Sequence, residues 1–257
     1  MKRFALSLCV AILALASCSQ QIATDQVAEL HTQSQITIIL PSTRTYLGEK
    51  VGDYYPTFWS PEDRIVANGI PSTSISIGKD KSAATFDFGG EEIASPFHVI
   101  YPYTEGSFCI ASRPTVVFKA EQHYTEKSFD AGHAPMYGYS NGNGSVSLKH
   151  LTGVLHLSIK GATALSKIEI TTSANKALAG EFDINCQNGA LTPINNRSYK
   201  KVTYFAEVPL STTTAKDLYI TLPAGEYGDG TLIVTNKEGE RMTLYWYGAK
   251  VKSGVVH

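Results

Sequence analysis

Gly138-Tyr139-Ser140-Asn141-Gly142 sets a serine between two glycines at the spacing serine hydrolases use to present a nucleophile. That chemistry needs a strand–turn–helix elbow that holds the hydroxyl beside an oxyanion hole. Here a glycine–asparagine turn and another strand pattern follow, so Ser140 reads as a turn residue. The seven histidines form no metal-binding helix motif and no Cys/His cluster. His150 and His156 share strand parity, but six residues of extended chain hold them roughly 20 Å apart, too far to chelate one ion. Glu91 and Glu92 are neighbours on a strand or turn, and adjacent strand side chains point to opposite faces. Gly142-Asn143-Gly144 lacks the third glycine and the helix of a phosphate-binding loop. The expectation is a protein that is not an enzyme and carries no metal or cofactor.

Thiol chemistry remains. Of four cysteines, Cys9 lies in the apolar run from Phe4 to Ala16, which follows Lys2 and Arg3. A bilayer span needs roughly 20 residues, so this run is too short to be one and reads as a targeting segment. It ends in Leu15-Ala16-Ser17-Cys18, which resembles the lipobox of bacterial lipoprotein precursors. The resemblance implies cleavage between Ser17 and Cys18 and a diacylglyceryl group on the Cys18 thiol. The small residue before the cut suits a peptidase pocket, and only a thiol accepts the lipid. Residues 1–17 are then a signal peptide, and 18–34, polar and weakly patterned, a lipidated tether to the membrane. Cys109 and Cys186 are left; two cysteines make no disulfide framework, and they read as small buried apolar residues. Losing Lys2 and Arg3 takes the formal net charge from −1 to −3. With no basic block, nucleic acid is not an expected partner.

Beyond the tether the dominant period is two, the signature of strands. Strands are expected at 35–40, 64–67, 73–77, 83–88, 97–103 and 115–118. In the second half they are expected at 145–150, 154–159, 167–171, 202–208, 218–222, 231–235 and 242–247. Leu155, Leu157 and Ile159 fall on one face, as do Leu218, Ile220 and Leu222, each worth about 1.5–3 kcal/mol when buried. Asn68-Gly69, Gly89-Gly90, Asn188-Gly189 and Asp229-Gly230 punctuate the chain, and Lys237-Glu238-Gly239-Glu240 reads as a hairpin turn. Short strands with frequent turns point to an all-β chain of sandwiches. The glycine-rich stretch 137–145 has nothing that repays burial. It is the expected boundary between an N-terminal β-sandwich domain at 35–147 and a C-terminal one at 148–257.

Several segments, in order, resemble the fimbrillins, the subunits of type V pili in Bacteroidetes. They are Phe58-Trp59-Ser60-Pro61-Glu62-Asp63-Arg64-Ile65, Phe97-His98-Val99-Ile100-Tyr101-Pro102-Tyr103, His150-Leu151-Thr152-Gly153-Val154-Leu155-His156-Leu157 and Leu222-Pro223-Ala224-Gly225-Glu226-Tyr227. On residue chemistry alone, Trp59 and the tyrosines are core aromatics with a polar handle that seeks one hydrogen bond. Asp63 caps a turn, and Pro102 and Pro223 end strands. The resemblance implies two transthyretin-like Greek-key sandwich domains in tandem and export as an outer-membrane lipoprotein. It also implies that an arginine-specific protease trims an N-terminal strand, and that donor-strand exchange with other fimbrial subunits follows. Arg44 is the first basic residue after Cys18, so Arg44-Thr45 is the matching site for the trim. Cleavage there would free the lipid, the tether and the strand 35–40.

The expected function is therefore a structural, tip or accessory subunit of a cell-surface fimbrium. It would act in cell adhesion towards host or bacterial surface ligands. The family's polymerising members carry long C-terminal donor strands, whereas only 249–257 follow the last clear strand here, which leaves the donor role open. The alternative is an outer-membrane, lipid-anchored glycan-binding protein, with Tyr54, Tyr55, Tyr245, Trp246 and Tyr247 as stacking rings. Adjacent strand residues alternate, so half of each cluster is expected to point inward.

Overall fold

The computed structural model describes residues 32–40, 58–79, 81–103, 108–110, 113–130, 132–142, 144–173 and 176–257. These residues form strands and turns, and none of them is helical. A four-stranded sheet orders Ser145–Ser147, Gln35–Ile39, Ala83–Asp87 and Ser74–Ile77. A five-stranded sheet orders Lys149–His150, Met136–Ser140, Phe97–Tyr101, Val66–Ala67 and Ile70–Pro71. Period-two alternation sends Ile36, Ile38, Phe86 and Val146 of the first sheet into one core with Phe97, Val99, Tyr101 and Met136 of the second. This is the first sandwich.

Trp59 lies in that core, edge-on to Phe86 at 5.1 Å and to Tyr101 at 5.2 Å between ring centroids. Among the described residues its Nε1 has no hydrogen-bond partner, unlike the polar handle expected of it. Ring packing and a bond from its backbone amide to the Lys81 carbonyl at 3.0 Å hold it. Asp63 does close a turn: it accepts from the Ser60 amide and from the Tyr101 hydroxyl, both at 2.7 Å. Burial pushes its carboxyl above the usual range, and these two bonds counter part of that rise.

Phe97–Tyr101 is buried on both faces. Ile100, with Val66 and Tyr137, turns away from the first core to meet Val116, Phe118, Phe182 and Ile184. Those residues come from Arg113–Phe118 and Ala179–Ile184, neighbours in a sheet that also holds Leu191–Tyr199 and Phe108–Ile110. Arg113–Phe118 therefore pairs with a strand from beyond residue 147, and Glu121–His123 pairs in parallel with Lys201–Val208. The stretch 137–145, expected to bury nothing, supplies most of the strand Met136–Ser140, with Tyr137 and Gly138 buried. Gly138 signals close approach here, not a loop. A Cβ on it would stand 2.6 Å from Val146 Cγ1 and 2.7 Å from the Ser147 carbonyl oxygen.

The second core lies between two further sheets. Thr152–Ile159 and Lys216–Pro223 form a pair. Facing them is a five-stranded sheet of Glu121–His123, Lys201–Val208, Leu165–Thr172, Gly225–Asn236 and Arg241–Val251. Leu218, Ile220 and Leu222 are buried, and Leu155, Leu157 and Ile159 pack partly buried beside them, on the faces their alternation dictates. The expected hairpin joins the last two strands. Gly239 takes φ 86°, and Asn236 Oδ1 accepts from the amides of Glu238 at 3.0 Å and Glu240 at 2.8 Å.

Candidate functional site

Gln35–Ile39 sits inside its sheet, antiparallel to Ala83–Asp87 on one side and parallel to Ser145–Ser147 on the other. The Thr37 amide donates to the Gly144 carbonyl at 2.8 Å and the Leu40 amide to the Ser82 carbonyl at 3.0 Å, so both flanks hold the strand. Ile36 and Ile38 are fully buried and Leu40 nearly so, while Gln35 and Ile39 face solvent. At about 1.5–3 kcal/mol each, those three side chains contribute roughly 5–9 kcal/mol of apolar burial. Outside the core, Gln35 Nε2 donates to Asp87 Oδ2 at 3.0 Å. This bond, ahead of one from the Gly89 amide, holds the Asp87 carboxyl below the usual range. Withdrawing this one segment would leave a slot with an unpaired strand edge on each side and apolar side chains along its base. Backbone donors and acceptors at a strand edge bind any extended chain, and alternating pockets select its side chains.

Other edges differ. Residues 252–257 lie along Thr152–Ile159: the Val154 amide donates to the Val255 carbonyl at 2.9 Å, and the His257 amide returns to the Val154 carbonyl at 2.8 Å. Gly153 permits this, since a Cβ would meet Val251 Cγ1 at 2.7 Å and the Lys252 carbonyl oxygen closer still. The sequence treated 249–257 as a remnant after the last strand; the strand in fact runs Arg241–Val251 and the rest covers an edge of its own chain. Arg241–Val251 pairs on one side only, with Gly225–Asn236, and is the terminal strand of its sheet. Met242, Leu244, Tyr245 and Tyr247 are exposed along it, whereas Trp246 packs partly buried against the second core. The predicted division of that aromatic cluster into inward and outward rings holds.

The remaining chemical candidates separate in space. Ser140 ends its strand, and its Oγ accepts from the Gly142 amide at 3.1 Å; the next element is the strand Ser145–Ser147. His150 is buried on Lys149–His150, whereas His156 pairs with Asp217 at 2.9 Å and stacks on Tyr219. Glu91 and Glu92 lie exposed in a turn. Cys186 is a free, half-buried thiol on a turn, not a buried core residue. Ser17, Cys18, Arg44, Thr45, Tyr54 and Tyr55 lie outside the described residues. Among the described residues, no helix is long and apolar enough to cross a membrane. The slot walls were within reach of sequence patterning, but their pairing across roughly a hundred residues left no local signal.

No family model matches the chain, and no curated protein matches it. Among solved structures, a chain in a structure of manganese lipoxygenase from Gaeumannomyces graminis matches at a TM-score of 0.19, which carries no argument. A second match is a crystal structure described as a "putative cell adhesion protein" from Bacteroides ovatus, at 12% identity and a TM-score of 0.51. That match covers 85% of this chain and 88% of the other, so the likeness is one of fold across nearly the whole molecule: this all-β chain is built like that Bacteroides protein.

Proposed function

We propose that this protein is an adhesive subunit of a surface fibre of the type V pilus kind, which joins a neighbour by β-strand complementation in the slot now filled by 35–40. The observation that carries the reading is the position of Gln35–Ile39, whose flanking strands both lie far along the chain. Arg44, four residues beyond Leu40, would mark the cut, and the lipid on Cys18 would hold the uncut form at the outer membrane. The ordered motifs that resemble fimbrillins support this reading, and so does the fold likeness to a protein described as adhesive. In it, the two main cores belong to two transthyretin-like sandwiches. Residues 252–257 are already paired to the chain's own Thr152–Ile159, so the acceptor role is better supported than the donor role. Treating the folded, lipid-free protein with an arginine-specific protease tests the proposal. The expected products are a stable 45–257 core and a freed N-terminal segment, with the core then binding an added extended peptide of residues 34–41. A folded protein uncut between Leu40 and Phe58, or a cut core that binds no extended peptide, would overturn it.

A further inference from the structure

A cleft of about 610 Å³ opens where the edge of the five-stranded sheet of the first sandwich meets the turn between Ala179–Ile184 and Leu191–Tyr199. Its volume falls within the range of small-ligand sites, roughly 300–1,000 Å³. Tyr139 supplies an aromatic plate that is 43% exposed. The plate is fixed: its hydroxyl donates to Asn141 Oδ1 at 2.6 Å, and its ring leans on the His98 ring at 5.0 Å between centroids. On the adjoining strands stand Ser147 and Lys149.

The facing wall, Cys186–Leu191, is a turn held by its own hydrogen bonds. Asn185 Oδ1 accepts from the Gln187 amide at 2.9 Å and the Asn188 amide at 3.3 Å. Asn188 Oδ1 in turn accepts from the Ala190 amide at 2.9 Å, and the Asn185 amide donates to the Ala190 carbonyl at 2.9 Å. The backbone is thus held by its own side chains, and the side-chain amides of Gln187 and Asn188 leave their N–H donors, with the Lys149 ammonium, without a hydrogen-bond partner among the described residues. No aspartate or glutamate lines the cleft, which argues against a metal or cationic ligand.

A fixed tyrosine face opposite a row of amide, hydroxyl and ammonium donors matches one ligand chemistry well. Sugar rings stack their C–H faces on aromatic rings and present hydroxyl oxygens to donors at their rims. We infer that this cleft is a saccharide-binding site, with Tyr139 as the stacking plate and Gln187, Asn188 and Lys149 donating to sugar hydroxyl and carboxylate oxygens. The lysine favours acidic sugars over neutral ones. Ser147 alone links this site to the slot, through its pairing with Ile39, so tests on the untrimmed chain stand or fall separately from the fibre reading.

Saturation-transfer NMR on the folded chain tests it, with galactose, N-acetylglucosamine, galacturonic acid and the di- and trisaccharides of galacturonic acid as probes. Expected are millimolar or tighter binding of the galacturonic series, at least tenfold weakening by Tyr139→Ala and by Gln187→Ala, and loss of the preference for acid over neutral sugar in Lys149→Ala. Tyr245→Ala, on the distant exposed strand, should change nothing. Cys186 adds a local readout: bound sugar should slow its alkylation by iodoacetamide, scored by peptide mass. Gln187→Ala lies on an exposed turn and leaves the fold intact if Tyr139→Ala does not. No binding of any of these sugars, or binding that neither Tyr139→Ala nor Gln187→Ala weakens and that leaves Cys186 alkylation unchanged, would overturn the assignment.

Discussion

Ile38 and Ile39 are neighbours of one type in one strand, yet one is fully buried and the other 46% exposed. Their fates differ only by strand parity. Ile38→Ala removes a fully buried side chain and leaves a cavity against Ala84 and Val146, so it should cost about 2–5 kcal/mol. Ile39→Ala should stay within about 0.5 kcal/mol. Equilibrium denaturation of the two variants reads the difference, and equal losses would place the strand in the wrong register. Single residues with a shape or a hydrogen-bond role were readable in advance in part. Asp63 was identified as a turn cap from its type and position. Trp59 is legible as a core residue from its type, but its ring contacts with Phe86 and Tyr101 come from distant strands. Ser140 reads as a turn residue because no helix pattern follows it, and its Oγ accepts from the Gly142 amide.

At the scale of elements, alternation carried most strands whose two faces differ, such as Lys201–Val208, whose Val202, Tyr204, Ala206 and Val208 face the second core. It failed where the faces do not differ or where glycine misled. Leu191–Tyr199 is an exposed edge containing Pro193 and so shows no apolar period. Met136–Ser140 carries Gly138 because the backbones crowd there, and a glycine-rich run reads as a loop. The outer face of the five-stranded sheet of the second core makes an electrostatic prediction. Glu169 lies 3.1 Å from Lys201, 3.2 Å from Lys167 and 4.0 Å from Arg241 of the edge strand. The Lys201 hydrogen bond, opposed by burial and helped by Lys167, holds the Glu169 carboxyl below its ordinary value of 4.5. Since the folded value lies below the unfolded one, the stability this group contributes is complete above pH 4.5 and lost as pH falls through the lowered value. Glu169→Gln should cost about 1 kcal/mol at neutral pH and nothing once the carboxylate of the parent is protonated. Denaturation midpoints measured from pH 7 to acid, parent against variant, should converge; a constant gap would contradict this.

At the scale of the whole molecule, the long-range pairings organise function, and they were the least legible part. Gln35–Ile39 bonds to strands some fifty and a hundred residues away. Residues 252–257 return to Thr152–Ile159, and the saccharide cleft is walled by segments about fifty residues apart. Local patterning names each strand but not its neighbour, because pairing is decided by which edges and faces meet in the packed state. The resemblance to fimbrillins supplied the idea that an N-terminal strand is withdrawn, and the pairing of 35–39 gives that idea a specific cost and a specific gap. The most direct test is amide hydrogen exchange of the trimmed 45–257 protein with and without a synthetic peptide of residues 34–41. Protection should be lost in 83–87 and 145–147 on trimming and return in both when the peptide binds, but not with a peptide carrying Ile38→Asp. Equal protection in trimmed and untrimmed protein, or no recovery with the peptide, would contradict strand complementation at this site.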